Sequence, residues 1–265
     1  MSVDRRSFLR GFVACACCAT AGASFAETAG HGGAAGHGSA AAPHWGYEGA
    51  GAPDKWGQLQ PDFKVCQLGV EQTPIDLTGA MKAEIGGIRH DYKSIPLRIV
   101  NNGHTVQVNA DPGSSCLIED ARYELLQFHF HHPSEHLLAG KRFEMECHFV
   151  HKAANGALAV TGVLIRPGAA NAALKPVFDA LPEKPGSEIR AAGAVDLGAV
   201  LPSGGGYFRY MGSLTTPPCS EGLTWTVYKQ PIELSVAQIE KFAKLFPNNA
   251  RPVQRQNRRF LIDAS

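Results

Sequence analysis

The chain has 265 residues, of which 44% are apolar and 18% are charged, with a formal net charge of +1. This composition excludes an intrinsically disordered chain, which is poorer in apolar residues and richer in charge. The near-zero charge predicts no basic surface for nucleic acid, so we expect no nucleic-acid partner. The 29 glycines and 17 prolines favour a fold with many turns and strands over an all-helical one.

The first 26 residues form a predicted export signal, which is excluded from the fold. Arg5 and Arg6 precede an apolar stretch at 12–23, and small residues lead to a cleavage position after Ala26. The paired arginines favour a twin-arginine signal; an ordinary secretory signal or lipid attachment at Cys15 are the alternatives. The apolar stretch is too short for a membrane span. We therefore expect a periplasmic or secreted protein.

Residues 27–42 are almost entirely Ala, Gly, His and Ser, which is typical of a flexible linker. We find no second linker and no internal repeat beyond it, so 43–265 is predicted to be one domain. Four cysteines remain after signal removal, and they allow three full pairings in an oxidising compartment. The sequence does not choose among pairings of Cys66, Cys116, Cys147 and Cys219.

Strand patterns dominate this domain and predict a mainly β fold. The strand-like segments are 97–100, 105–108, 124–132, 144–151, 158–165 and 224–228. Helical spacing of apolar residues predicts two helices, at 171–181 and 236–246. Ser235 and Gln238 form a capping-box pattern at the start of the second.

The segment 124–132 carries alternate histidines. Residues two apart on a strand face the same side, so Gln127, His129 and His131 are predicted to share one face. Leu126, Phe128 and Phe130 are then predicted to face the core. Taken alone, a His-x-His pair on a strand is more often structural than metal-binding.

A second strand supplies a third histidine. If segment 144–151 pairs antiparallel with the first strand, His148 joins His129 and His131. Three imidazoles with an open fourth position are typical of a catalytic zinc site, as is known of carbonic anhydrases. Gln127 and Glu146 precede ligands by two residues and are suited to hold their other ring nitrogens.

Further motifs resemble those of alpha-class carbonic anhydrases, in the order found in that family. They are His44-Trp45-Gly46-Tyr47, Gln72-Thr73-Pro74-Ile75, Asn101-Asn102-Gly103-His104, Gln127-Phe128-His129-Phe130-His131, Ser134-Glu135-His136, Glu146-Cys147-His148-Phe149-Val150-His151, the stretch from Tyr210 to Cys219, and Asn249-Ala250-Arg251-Pro252. The resemblance implies a single domain around a large, twisted, mostly antiparallel sheet of about ten strands, with a few short peripheral helices.

The resemblance also implies an activity: reversible hydration of carbon dioxide to bicarbonate and a proton, by zinc-bound hydroxide. It assigns Zn²⁺ to His129, His131 and His148. It assigns the orientation of the hydroxide to Thr215 and Glu135, and proton shuttling to His104. The substrate positions are Val150, Val160, Leu214, Thr216, Leu223 and Trp225, and the proton-path water positions are Tyr47, Asn102 and Gln107. Gln127, Glu146 and the backbone carbonyl of Asn249 would orient the ligands, and Cys66 would pair with Cys219.

Two other functions are compatible with parts of the sequence. One is a catalytically silent carbonic-anhydrase-like binding protein, although this chain keeps the three histidines, Thr215 and Glu135. The other is a periplasmic zinc-binding protein, which does not explain the segment 213–218. The family assigns no role to Cys116 or Cys147, and we expect Cys147 to be a buried free thiol. The protein is predicted to be a monomer or homodimer.

Overall fold

A computed structural model describes residues 44–186, 188–204 and 206–264. The predicted signal at 1–26 and linker at 27–42 lie outside the described residues. Within the described ranges, no helix has the length and apolarity needed to cross a membrane.

Short helices surround the sheet strands. The helices are α1 (Trp56–Leu59), α2 (Val65–Leu68), α3 (Lys175–Asp179) and α4 (Val236–Leu245), with 3₁₀ turns at Gly49–Gly51, Pro53–Lys55, Pro61–Phe63 and Gly198–Val200. The strands are β1 (Asp76–Leu77), β2 (Met81–Lys82), β3 (Ile88–Asp91), β4 (Ser94–Asn101), β5 (Val106–Asn109), β6 (Ser115–Ile118), β7 (Ala121–His131), β8 (Leu137–Leu138), β9 (Lys141–Arg142), β10 (Met145–Ala153), β11 (Leu158–Pro167), β12 (Ile189–Asp196), β13 (Tyr207–Ser213), β14 (Glu221–Leu234) and β15 (Ile262–Ala264).

One large sheet organises the described residues. Its strand order is β12-β4-β5-β7-β10-β11-β14-β13-β15-β2, and β6 attaches β3 to β7 to complete twelve strands. Most neighbours are antiparallel, but β11 pairs with β14 and β15 pairs with β2 in parallel. The prediction of a mainly β domain around a large, mostly antiparallel sheet is confirmed.

The two faces of this sheet carry separate apolar clusters. Phe128, Phe130 and Phe149 belong to the cluster that also contains residues of α3 and α4. Val160 and Trp225 belong to the second cluster. Alternation along β7 and β10 sends apolar residues to the first cluster and leaves polar residues on the opposite face.

Both predicted helices are present, with different accuracy. Helix α4 has the predicted capping box between Ser235 and Gln238. The predicted helix 171–181 is wrong in length, because α3 comprises only Lys175–Asp179. Asn171 Oδ1 accepts a hydrogen bond from the Leu174 backbone nitrogen in the preceding turn. Pro176, which is tolerated only in the first helical turn, then fixes where the helix begins.

A β-bulge interrupts the predicted alternation on β7. His151 is opposite Leu125 and Val150 is opposite Gln127, so Leu126 is an extra residue without a partner on β10. Leu125 is buried and Leu126 is 43% exposed. The prediction that Leu126 faces the core is therefore wrong, because the bulge turns one additional residue outward.

Candidate active site

The register between β7 and β10 brings three histidines together. His148 lies directly opposite His129, and Glu146 lies opposite His131. Directly opposed residues of antiparallel strands project to the same face. The ring centroids of the three histidines are 4.6 to 5.4 Å apart.

One nitrogen of each ring is held by a neighbouring acceptor. His129 Nδ1 is 2.8 Å from Gln127 Oε1, and His131 Nδ1 is 2.8 Å from the Asn249 carbonyl oxygen. His148 Nε2 is 2.9 Å from Glu146 Oε1. These acceptors leave the other nitrogen of each ring to face its neighbours.

The residues present fit a metal ion. One ring nitrogen from each of His129, His131 and His148 can be chosen so that all three lie within 4.8 Å of one another. His131 Nε2 is buried and has no hydrogen-bond partner among the described residues. A buried, unpartnered polar atom is costly unless a ligand satisfies it. Three imidazole donors suit zinc and other first-row metals.

The histidines are held neutral, as metal ligation requires. Burial lowers the pKa of His129 well below its ordinary value, and the neighbouring histidines lower it further. Burial also lowers the pKa of His131 to about 4 and lowers that of His148.

Glu135 lies beside the histidines and is completely buried. Its Oε1 accepts a hydrogen bond of 2.8 Å from the Arg251 backbone nitrogen. Its Oε2 is 3.5 Å from His131 Nε2 and 3.8 Å from His148 Nδ1. Burial raises the pKa of Glu135 to about 7, against the opposing effects of His148, the Arg251 amide and the nearby Thr215 side chain.

Glu146 anchors a second buried network. Its Oε2 accepts hydrogen bonds from the backbone nitrogens of Glu135 and His136, at 2.9 and 2.8 Å. Burial alone would raise the pKa of Glu146, but His136 and His148 outweigh it and hold the pKa well below its usual range. The carboxylate thus stays ionised beneath the histidine cluster.

His136, Glu146 and His148 also lie close enough together to hold a metal. However, His136 Nδ1 is 2.7 Å from Glu146 Oε1, and His136 Nε2 is 2.6 Å from the Tyr210 hydroxyl. Both ring nitrogens of His136 are therefore occupied by hydrogen bonds. This group is a scaffold for His148 rather than a second metal centre.

Comparisons with known proteins agree with this geometry. The family model for eukaryotic-type carbonic anhydrase matches residues 51–263. The chain belongs to this carbonic anhydrase family. A carbonic anhydrase from Nostoc sp. is 47% identical over 227 residues, covering 83% of this chain and 86% of the relative. A carbonic anhydrase from Klebsiella pneumoniae is 41% identical over 225 residues, covering 84% and 92%.

A solved structure is similar over the same region. The alpha-carbonic anhydrase from Thermovibrio ammonificans, in complex with the inhibitor sulfanilamide, superposes with a TM-score of 0.81 at 42% identity. The match covers 83% of this chain and 98% of that structure. The sequence-based assignment to the alpha carbonic anhydrases is confirmed.

The apolar residues expected near the substrate lie together in this carbonic anhydrase. Val150, Val160 and Trp225 are direct partners across β10, β11 and β14. Leu223 and Leu214 complete the same apolar cluster. The Trp225 ring centroid is 4.9 Å from that of His148, so this cluster borders the three histidines.

The disulfide expected from the family is formed. Cys66 of α2 is bonded to Cys219. The Cys219 backbone nitrogen donates to the Thr216 carbonyl oxygen at 2.9 Å, which closes the turn that follows Thr215. Cys116 and Cys147 are buried free thiols.

The three residues expected to order water differ in exposure and in their contacts. Gln107 of β5 lies directly opposite His129. Tyr47 packs edge-on against Trp56, and burial followed by the Glu135 charge raises its pKa well above 10. Asn102 is exposed, and its Oδ1 accepts hydrogen bonds from the next turn, including one of 2.9 Å from the His104 backbone nitrogen.

His104 is half-buried on the turn immediately before β5. Its ring stacks on Trp45, with centroids 3.6 Å apart and planes 9° apart. Its Nε2 is 3.0 Å from His44 Nε2. Burial, and then the proximity of His44, lowers the pKa of His104 to about 4. In this position His104 is therefore less basic than an ordinary imidazole, whose pKa is 6.5.

The structure also places at the site two residues for which the sequence predicted no role. His136 bridges Glu146 and Tyr210, and Arg251 supplies the amide that holds Glu135. The Arg251 guanidinium also donates to the Cys66 carbonyl oxygen at 2.9 Å. Both residues belong to motifs that resemble the family, and this membership is the sequence signal that could have identified them.

Proposed function

We propose that this protein catalyses the zinc-dependent, reversible hydration of carbon dioxide to bicarbonate and a proton. The observation that carries the proposal is the convergence of His129, His131 and His148, each with one ring nitrogen anchored and one left for a metal. Family membership supports the same reaction.

The three histidines would hold Zn²⁺. Zinc in carbonic anhydrases is known to lower the pKa of bound water to about 7, which supplies a nucleophile near neutral pH. The acceptors Gln127, Glu146 and Asn249 fix the orientation of the rings, so little reorganisation is needed on binding.

Thr215 and Glu135 would direct the attacking oxygen. In this proposal the Thr215 hydroxyl donates a hydrogen bond to the ionised form of Glu135, which would leave the Thr215 oxygen as an acceptor. The Thr215 oxygen would then favour an attacking oxygen that carries a proton to donate to it. This hydrogen bond would also orient the lone pair of the attacking oxygen toward the carbon of carbon dioxide. The Arg251 amide, 2.8 Å from Glu135 Oε1, holds the carboxylate in place.

The apolar cluster would receive carbon dioxide. The molecule has no net dipole, so the wall formed by Val150, Val160 and Trp225 suits it better than a polar one. Leu214, Thr216 and Leu223 belong to this substrate region in the proposal. The charged product is less compatible with an apolar surface, which favours its departure.

His104 would carry the released proton to solvent, along water ordered by Tyr47, Asn102 and Gln107. Gln107 lies opposite His129, and His104 lies on the turn immediately before β5. The closeness of His104 and Gln107 in the chain supports the proposed path. A neutral imidazole accepts a proton and then passes it to buffer.

We further propose that the protein acts outside the cytoplasm after removal of residues 1–26, with 27–42 as a linker. The disulfide supports this location, because such bonds persist in oxidising compartments. N-terminal sequencing of the secreted protein should begin at Glu27. A lipid-modified cysteine at the new terminus would instead establish attachment at Cys15.

Stopped-flow carbon dioxide hydration, with zinc quantified in the same sample, tests the proposed function. His129→Ala should abolish both activity and stoichiometric zinc. His132→Ala is a matched control, because His132 is outside the histidine cluster and its Nδ1 is 3.0 Å from the Pro247 carbonyl oxygen. Zinc without hydration would favour a silent binding protein, and an absence of zinc would refute the metal site.

A further inference from the structure

A chain of polar contacts leads from Gln107 to residues that have no role assigned by the family resemblance. We propose that Glu188 is a positioning residue for proton transfer, and that it acts by fixing the orientation of the Gln107 amide through Asn109. This inference rests on the proposed function for its kinetic consequence. The contacts themselves do not involve the proposed metal.

The chain has two hydrogen bonds. Gln107 Nε2 donates to Asn109 Oδ1 at 2.6 Å, and Asn109 Nδ2 donates to Glu188 Oε2 at 2.5 Å. Glu188 precedes β12, about 80 positions later in the sequence than β5. The network thus links the water-ordering position to a distant part of the chain.

The chemistry of the groups determines the direction of both bonds. An ionised carboxylate only accepts hydrogen bonds, so the atom of Asn109 facing Glu188 must be its NH₂ group. The carbonyl oxygen of Asn109 then faces Gln107, and it requires the Gln107 NH₂ group in return. Gln107 Oε1 is left on the side away from Asn109, where it can accept a hydrogen bond from water.

Glu188 is kept ionised by a forked pairing with Arg98. Arg98 Nε is 2.8 Å from Glu188 Oε1, and Arg98 Nη2 is 3.2 Å from Glu188 Oε2. The Arg98 hydrogen bond, followed by the one from Asn109, lowers the pKa of Glu188. Arg98 also contacts Asp111, with Nη1 2.6 Å from Oδ1.

The strand register places this hydrogen-bonded chain on the same sheet face as the proposed metal ligands. Arg98 lies opposite Asn109, and Gln107 lies opposite His129, so all four share the face of the histidine cluster. In a proton path, each water donates to the next acceptor. If the Gln107 amide always presents its oxygen in the same direction, the water molecule that donates to that oxygen is held in one orientation. Without Glu188, both amides are free to reverse.

The test compares Glu188→Ala with Asp111→Ala in the zinc-loaded enzyme. Each variant removes one carboxylate partner of Arg98, but only Glu188→Ala frees Asn109. In dilute buffer we expect Glu188→Ala to lower kcat roughly threefold with kcat/KM unchanged, because only proton release is slowed. Concentrated imidazole, which removes the proton directly, should restore kcat. Asp111→Ala should alter neither constant.

A second readout uses the metal-free protein and does not depend on activity. In ¹⁵N-correlated NMR spectra, the side-chain amide signals of both Asn109 and Gln107 should shift in Glu188→Ala and remain in place in Asp111→Ala. Unchanged amide signals in Glu188→Ala would overturn the positioning role. So would an unchanged kcat, or an equal fall in kcat and kcat/KM. A parent enzyme without hydration activity would instead refute the proposed function, while the amide signals would still report on Glu188.

Discussion

His148 Nε2 lies 2.9 Å from Oε1 of the buried Glu146, whose other oxygen accepts two backbone hydrogen bonds. The carboxylate orients a proposed metal ligand and also fixes the segment that contains Glu135. Loss of its charge should therefore weaken metal binding without removing any ligand.

Glu146→Gln should lower zinc affinity about 10- to 100-fold, the usual effect of removing an acceptor that orients a ligating histidine. Competition with a chromophoric chelator measures the affinity. Glu144→Gln is the matched control, because Glu144 is exposed two residues away on the same segment. Equal affinities in the two variants would contradict the orienting role, provided that circular dichroism shows both to be folded.

His44→Ala should raise the pKa of His104 from about 4 toward 6.5, because one of the two causes of the depression is removed. Burial against Trp45 remains, so the rise should be partial. A more basic His104 is a better proton acceptor at neutral pH, and kcat in dilute buffer should increase with kcat/KM unchanged. NMR titration of the His104 ring measures the pKa, with His132→Ala as control. A pKa that stays near 4 would show that His44 has no influence.

Acid should destabilise the fold through His90. Burial lowers the pKa of His90 from 6.5 to about 4. The unfolded chain therefore binds the proton first as pH falls below 6.5, and the contribution to stability is lost between about pH 6.5 and 4. The surrounding groups are His151, whose pKa is also lowered by burial, together with Tyr92 and Tyr228.

His90→Gln should consequently lose less stability than the parent between about pH 7 and pH 5, by at most about 1.4 kcal/mol per pH unit. Urea unfolding of the metal-free proteins measures the difference and avoids effects of metal release. His132→Gln serves as the control, because His132 is only half-buried. Parallel stability curves for His90→Gln and the parent would count against a buried neutral His90.

The disulfide should contribute substantially to stability. It joins residues 153 positions apart, and removing a native disulfide typically costs about 2–5 kcal/mol. The double variant Cys66→Ser, Cys219→Ser should show this loss in chemical unfolding. Reductant should destabilise the parent to the same level and leave the double variant unaffected. A reductant effect of equal size on both proteins would point to another cause.

Much of the site could be predicted because it follows from local periodicity. Strand geometry alone places His129 and His131 on one face. The capping-box pattern of Ser235 and Gln238 predicts where α4 begins. The family resemblance then supplied His148, Glu135 and Thr215 in the correct order. These features depend on residues close in sequence, or on motifs that survive as short strings.

Only the tertiary structure decided which distant groups meet. The Asn249 carbonyl on His131, His44 against His104, and Glu188 on Asn109 join residues 118, 60 and 79 positions apart. The bulge at Leu126 likewise depends on how β7 pairs with β10. Strand register and loop packing are set by the whole sheet, and a one-residue shift reverses every side chain. The sequence by itself therefore determined the fold class and predicted the three-histidine set, whereas tertiary packing determined how each of these histidines and His104 is oriented.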